Sequence, residues 1–117
     1  MFKFIYFLIP FFFLSCKSDA ELTMERGIQL YDWNKLDEAL VEFNKVKYLI
    51  EENSNSRLSN IQLLAQAHFN LGITYAKMNL FNQAEQEVLN ALSLMPNKEY
   101  REVLSLMREK ETNSQKK

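Results

Sequence analysis

The chain has little of what most catalytic and nucleic-acid-binding sites are made from. Its single cysteine, Cys16, excludes an intramolecular disulfide and a cysteine-based zinc site. His68 is the only histidine, so neither a histidine metal cluster nor a Cys–His pair can be assembled. Gly27 and Gly72 are the only glycines, which rules out a glycine-rich phosphate loop. The formal charge is −1, and because Lys3 is the only charge before Cys16, the remainder carries 13 basic against 15 acidic groups. That balance leaves no basic field for a phosphate backbone, and nucleic acid is not expected as a partner. The acids are spread among lysines and arginines, the pattern of a solvated helix face. No enzymatic activity, metal or cofactor is expected.

What the chain does have is unevenly placed. Six of its nine phenylalanines, Phe2, Phe4, Phe7, Phe11, Phe12 and Phe13, precede Cys16. The opening MFKFIYFLIPFFFLS has one lysine near its start and then an apolar run of about eleven residues, Phe4 to Leu14. A bilayer span needs about 20 residues; this run has the length of a signal-peptide core. Pro10 in its middle disfavours a buried helix. The remainder is poor in Gly and Pro and dense in Leu, Ala, Glu and Lys, which points to an all-α fold in one small domain.

The segment Phe13-Leu14-Ser15-Cys16 resembles the lipobox of bacterial lipoprotein signal peptides. Ser15 and Cys16 match that pattern, whereas Phe13 stands where Leu is usual and Leu14 is displaced by one place. The resemblance implies cleavage after Ser15 and a lipid on the Cys16 sulfur, hence a membrane partner in a bacterial envelope, with the outer membrane favoured over the inner. Each buried CH₂ contributes about 0.8 kcal/mol, so two or three acyl chains anchor stably. An ordinary signal peptide with an incidental cysteine, or an uncleaved N-terminal anchor, are the alternative readings. Residues 1–15 are thus expected as the signal peptide and 16–19 as a short tether.

Capping signals divide the rest. Ser18 to Glu21 reads as a capping box opening a helix to about Asp32. Trp33-Asn34 is expected to turn the chain, with Asn34 capping a second helix to about Glu52. Asn53 to Ser56 is the clearest break. Ser59 to Gln62 reads as a second capping box opening a long helix to about Met78, and Asn82 to Glu85 as a third, opening a helix that ends near Met95-Pro96. Asn97 caps a last helix from Lys98 to about Lys110, and 111–117 is expected to be a disordered tail. Five helices with short turns suggest αα-hairpins packed side by side over 20–110.

Two stretches align: GIQLYDWNKLDEALVEFNKV from Gly27 and GITYAKMNLFNQAEQEVLNA from Gly72. Asn34 matches Asn79, Leu36 matches Phe81, Ala39 matches Ala84, Phe43 matches Val88 and Val46 matches Ala91. Gly72 and Ala84 are small residues on facing helices, where backbones can approach closely; Leu71, Tyr75, Val88 and Leu92 form inward stripes. This spacing resembles the tetratricopeptide repeat. Leu71, Gly72, Tyr75, Ala84, Val88, Ala91 and Pro96 fall on the family pattern, with His68 where Trp is favoured. The first copy matches at Gly27, Ala39 and Phe43, but has Arg26 where Leu is expected and Glu51 for the closing Pro. The glycines are 45 residues apart, against a family period of about 34; the extra residues fall around Tyr48 to Ser59.

The resemblance implies an α-solenoid of two helix hairpins with a capping helix, a minimal array that dimerisation or a partner could complete. It also implies a concave groove lined by the first helix of each pair. Carried over, the groove positions are Met24, Ile28, Tyr31 and Asp32, then Gln66, Phe69, Asn70, Ile73 and Lys77. Core packing is the competing reading of Met24, Ile28, Phe69 and Ile73, and Trp33, Tyr48 and Tyr100 could serve either role. His68 is expected to pack. The family's carboxylate clamp is not expected, because Met24 and Ile28 stand in place of its Lys and Asn and only Asn70 matches. The expected function is therefore a lipid-anchored adaptor or assembly factor that binds another protein or peptide segment. The alternative is a structural lipoprotein that self-associates, as a homodimer or larger.

Overall fold

The structure, a computed structural model, describes residues 17–52 and 57–116. The expected signal peptide, Cys16 and the Asn53–Ser56 break lie outside the described residues. Among the described residues the chain is all-α, with five helices and no strand: α1 Asp19–Asp32, α2 Leu36–Glu52, α3 Leu58–Lys77, α4 Phe81–Leu94 and α5 Lys98–Gln115. Each packs on its neighbour in sequence, and α1 also touches α3.

Local chemistry sets most of the boundaries. Ser18 caps α1, its Oγ accepting from the Glu21 amide at 3.2 Å, and Asp19 and Glu21 place negative charge at the positive end of the helix. Asn97 caps α5 in the same way, accepting from the Tyr100 amide at 3.2 Å. Pro96, just past the end of α4, cannot continue that helix.

Asn34 does not open α2 as expected; it and Asn79, in the turn after α3, sit at φ 62° and 63°, the left-handed residues that close α1 and α3. Around them the Lys35 amide donates to the Leu30 carbonyl at 2.8 Å and the Leu80 amide to the Tyr75 carbonyl at 2.9 Å. Asparagine is among the few residues with a side chain that tolerate this conformation. The next helices begin at once, so Leu80 occupies the N-cap of α4 and Asn82 falls inside its first turn. Likewise Arg57 is the N-cap of α3, with no side-chain cap bond, and Ser59 lies within the helix. α5 runs on to Gln115, past the expected stop near Lys110. Glu111 is half-buried there, and the Thr112 hydroxyl donates back to the Arg108 carbonyl at 2.8 Å.

The apolar stripes give two cores that share α3. One joins Met24 of α1 and Ala39, Phe43, Val46 and Ile50 of α2 to Ala67 and Leu71 of α3. The other joins Ala65 and Phe69 of α3 to Ala84, Val88 and Ala91 of α4 and Tyr100, Leu104 and Met107 of α5. Because α3 is packed on both sides, its buried residues run around the helix rather than along one stripe.

The two hairpins match in detail. An added Cβ on Gly27 would lie 2.5 Å from Phe43 Cε1, and one on Gly72 would lie 2.6 Å from Val88 Cγ2 and 3.1 Å from the Ala84 carbonyl oxygen. Each glycine thus faces the residue sixteen positions later on its partner helix, as the aligned stretches require. α2 and α3 are longer than the other helix of each pair, 17 and 20 residues against 14 for α1 and 14 for α4.

Candidate interaction groove

α1, α3 and α5 leave a cleft of about 460 Å³ between them. α3 supplies Ile73, Ala76 and Lys77 from its last turns, and α1 contributes Tyr31. α5 forms the opposite wall with Val103, Leu106, Met107 and Lys110, and Asn79 and Phe81 close one end at the α3–α4 turn. The α5 residues follow helical spacing, so one face of that helix turns toward the cleft. Leu106 stands at the lip, 57% exposed.

The cleft offers apolar surface, a phenol, an amide and two ammonium groups, and no carboxylate among its lining residues. Lys77 Nζ lies 4.6 Å from the centre of the Tyr31 ring, a cation–π contact that fixes the lysine across the mouth. Lys77 also lies in the last turn of α3, where a cation complements the helix dipole. Glu111 lies one residue beyond Lys110, in an adjoining depression that shares Asn79 and Phe81 with the cleft.

Of the positions carried over from the repeat, Tyr31, Ile73 and Lys77 line this cleft. Met24, Phe69 and Asn70 do not. Met24 is 3% exposed and takes a hydrogen bond from Asn70 Nδ2 at 3.2 Å, within the core between α1 and α3. Phe69 stacks on Tyr100, ring centres 4.3 Å apart and planes 20° from parallel, so α5 covers it. Ile28, Asp32 and Gln66 are exposed and do not line the cleft. Tyr100 belongs to the core, and Trp33 and Tyr48 are exposed away from the cleft. Val103, Leu106, Met107 and Lys110 line the cleft although the repeat pattern points to the last helix only as a cap. Their spacing of three, one and three was the available sign of an inward face.

His68 does more than pack. Its Nδ1 lies 2.7 Å from Glu87 Oε2, a part-buried bond joining α3 to α4. Arg26–Glu42 at 3.5 Å and Arg108–Glu85 at 2.7 Å tie α1 to α2 and α5 to α4 on the surface. Burial, with the Glu99 charge second, pushes the Tyr100 phenol above its ordinary pKa. Among the described residues no group of three or more His, Cys, Asp or Glu could hold a metal ion. No described helix is long and apolar enough to cross a membrane.

No protein-family model matches the chain, and no characterised protein is significantly similar to it in sequence.

Proposed function

We propose that the chain is a tetratricopeptide-like lipoprotein, tied to a bacterial envelope membrane through Cys16, that acts as an adaptor or assembly factor by holding a segment of another protein. The observation that carries the binding part is the cleft, with the apolar side chains of Ile73, Phe81, Val103 and Leu106 left at least partly exposed among three helices. An apolar surface of this kind, bordered by polar groups, suits an inserted peptide segment. The anchor rests on the Ser15-Cys16 junction and on the cap at Ser18, which leaves only Lys17 between the lipid site and that cap. The N-terminus of α1 would then sit close to the bilayer, with the cleft beside Tyr31 at the other end of that helix.

The test is affinity capture from solubilised envelopes, comparing the chain with Leu106→Glu and with Tyr48→Glu. Leu106 lines the cleft and Tyr48 does not, and both are exposed enough to change without unfolding the protein. Specific partners should be lost with Leu106→Glu alone; equal loss or equal retention in both variants would sink the reading. Phe69→Glu would break the stack on Tyr100 and test the core instead. The anchor is tested by intact mass, where an acyl adduct on a chain beginning at Cys16 is expected.

A second reading is self-association. Val41 and Tyr48, 64% and 63% exposed, lie seven residues apart on the outward face of α2. Sedimentation of Tyr48→Glu against the unaltered chain separates this from the adaptor reading, since only a self-associating protein loses mass.

A further inference from the structure

The charge of the cleft narrows its occupant. Past its first lysine the chain is acidic by two charges, yet this cleft is lined by two lysines and no acid. Four cations elsewhere are paired, Lys17 with Glu25, Arg26 with Glu42, Lys98 with Glu102 and Arg108 with Glu85. Lys77 and Lys110 have no carboxylate partner among the described residues. They stand on opposite walls, on α3 and α5, with the apolar floor between them. The Tyr31 ring holds Lys77 in place, so little freedom is lost when it meets an anion. Glu111, in the next depression, bounds the positive stretch on that side.

We propose, resting on the adaptor reading above, that the partner is an acidic apolar segment of another protein. Its apolar side chains seat between Ile73 and Val103, and its Asp or Glu side chains flank them and meet Lys77 and Lys110. The apolar contact supplies affinity, and the charges supply register and discrimination against basic or neutral segments of equal hydrophobicity.

The experiment uses the full chain in nanodiscs of neutral phospholipid, which removes anionic headgroups as competitors. A displayed library of random peptides about twelve residues long is selected on it. The selected peptides are then measured by fluorescence anisotropy against the unaltered chain, Leu106→Glu and Lys77→Glu/Lys110→Glu. All three positions are solvent-exposed, and circular dichroism confirms that each variant keeps its helices. The expected peptides carry Asp or Glu around apolar residues. Their affinity should fall about tenfold or more on both variants and weaken with salt. Exchanging the peptide acids for lysine should restore binding to the charge-reversed protein. Binders lost on Leu106→Glu but indifferent to the lysine reversal overturn this inference and leave the adaptor reading standing. Binders indifferent to both, or no binders at all, overturn the two together. A cleft found filled by a second copy, seen as a dimer that Leu106→Glu dissolves, also overturns it.

Discussion

Replacing Gly72 by alanine sets two effects of known sign against each other. Alanine in a helix interior is favoured over glycine by about 1 kcal/mol. Here the added methyl would lie 2.6 Å from Val88 Cγ2, 3.1 Å from the Ala84 carbonyl oxygen and 3.4 Å from the Val88 amide nitrogen. Val88 is fully buried, and a valine in a helix has essentially one side-chain rotamer. The other two atoms are backbone, so relief requires moving α4 away from α3. Overpacking a tight contact costs about 1–3 kcal/mol, and a backbone obstacle puts this site at the upper end. The net expectation is a loss of roughly 2 kcal/mol, which for a domain of this size lowers the melting temperature by about 10 °C. Thermal unfolding followed by circular dichroism reads it directly. In a Val88→Ala background the nearest obstacle is gone, and the penalty should shrink by about 1 kcal/mol as a coupling energy. A higher melting temperature for Gly72→Ala, or the same penalty in both backgrounds, would refute the close approach of α3 and α4.

Asn79 at φ 63° should tolerate glycine with little change, whereas Asn79→Ala should destabilise by about 1 kcal/mol; equal effects in denaturant titrations would contradict the left-handed closure of α3. Glu87→Ala should cost about 1–2 kcal/mol by removing the partner of His68, and adding His68→Ala should cost less than it does alone. Tyr100 should ionise above the ordinary range of a phenol in an ultraviolet titration. Because its folded-state pKa lies above the unfolded value of about 10, the stability it contributes is intact below that pH and is lost as pH rises through the folded value. Tyr100→Phe should therefore flatten the alkaline fall in stability, and an unchanged profile would contradict the burial of the phenol.

The parts of the fold legible in the sequence are those set by short-range chemistry. Ser18 and Asn97 cap the helices they were expected to cap, and the five helices end within a few residues of their expected positions except at the C-terminus of α5. The pairing of small residues across the second hairpin followed from Gly72 and Ala84 alone. Where two local rules compete, the sequence alone misleads. Asn34 suits both a helix start and a left-handed helix end, and only the backbone path decides between them. The groove was harder to read. Phe69 and Ile73 are four residues apart on the same side of α3, and hydropathy cannot separate them. Tyr100 covers Phe69, and the course of α5 leaves Ile73 in the cleft.

By itself, then, the sequence determined the helical class, the paired helices and the glycines at which they meet, because periodicity, capping and side-chain size act over one or two turns. It also puts Cys16 two residues before the first helix cap, Ser18. The tertiary structure alone decided which apolar side chains are core and which are surface. That partition depends on where α5 lies across α3, a contact between residues far apart in sequence that no local pattern encodes. The same placement brings Lys77 and Lys110, scattered in the sequence, to opposite walls of one cleft.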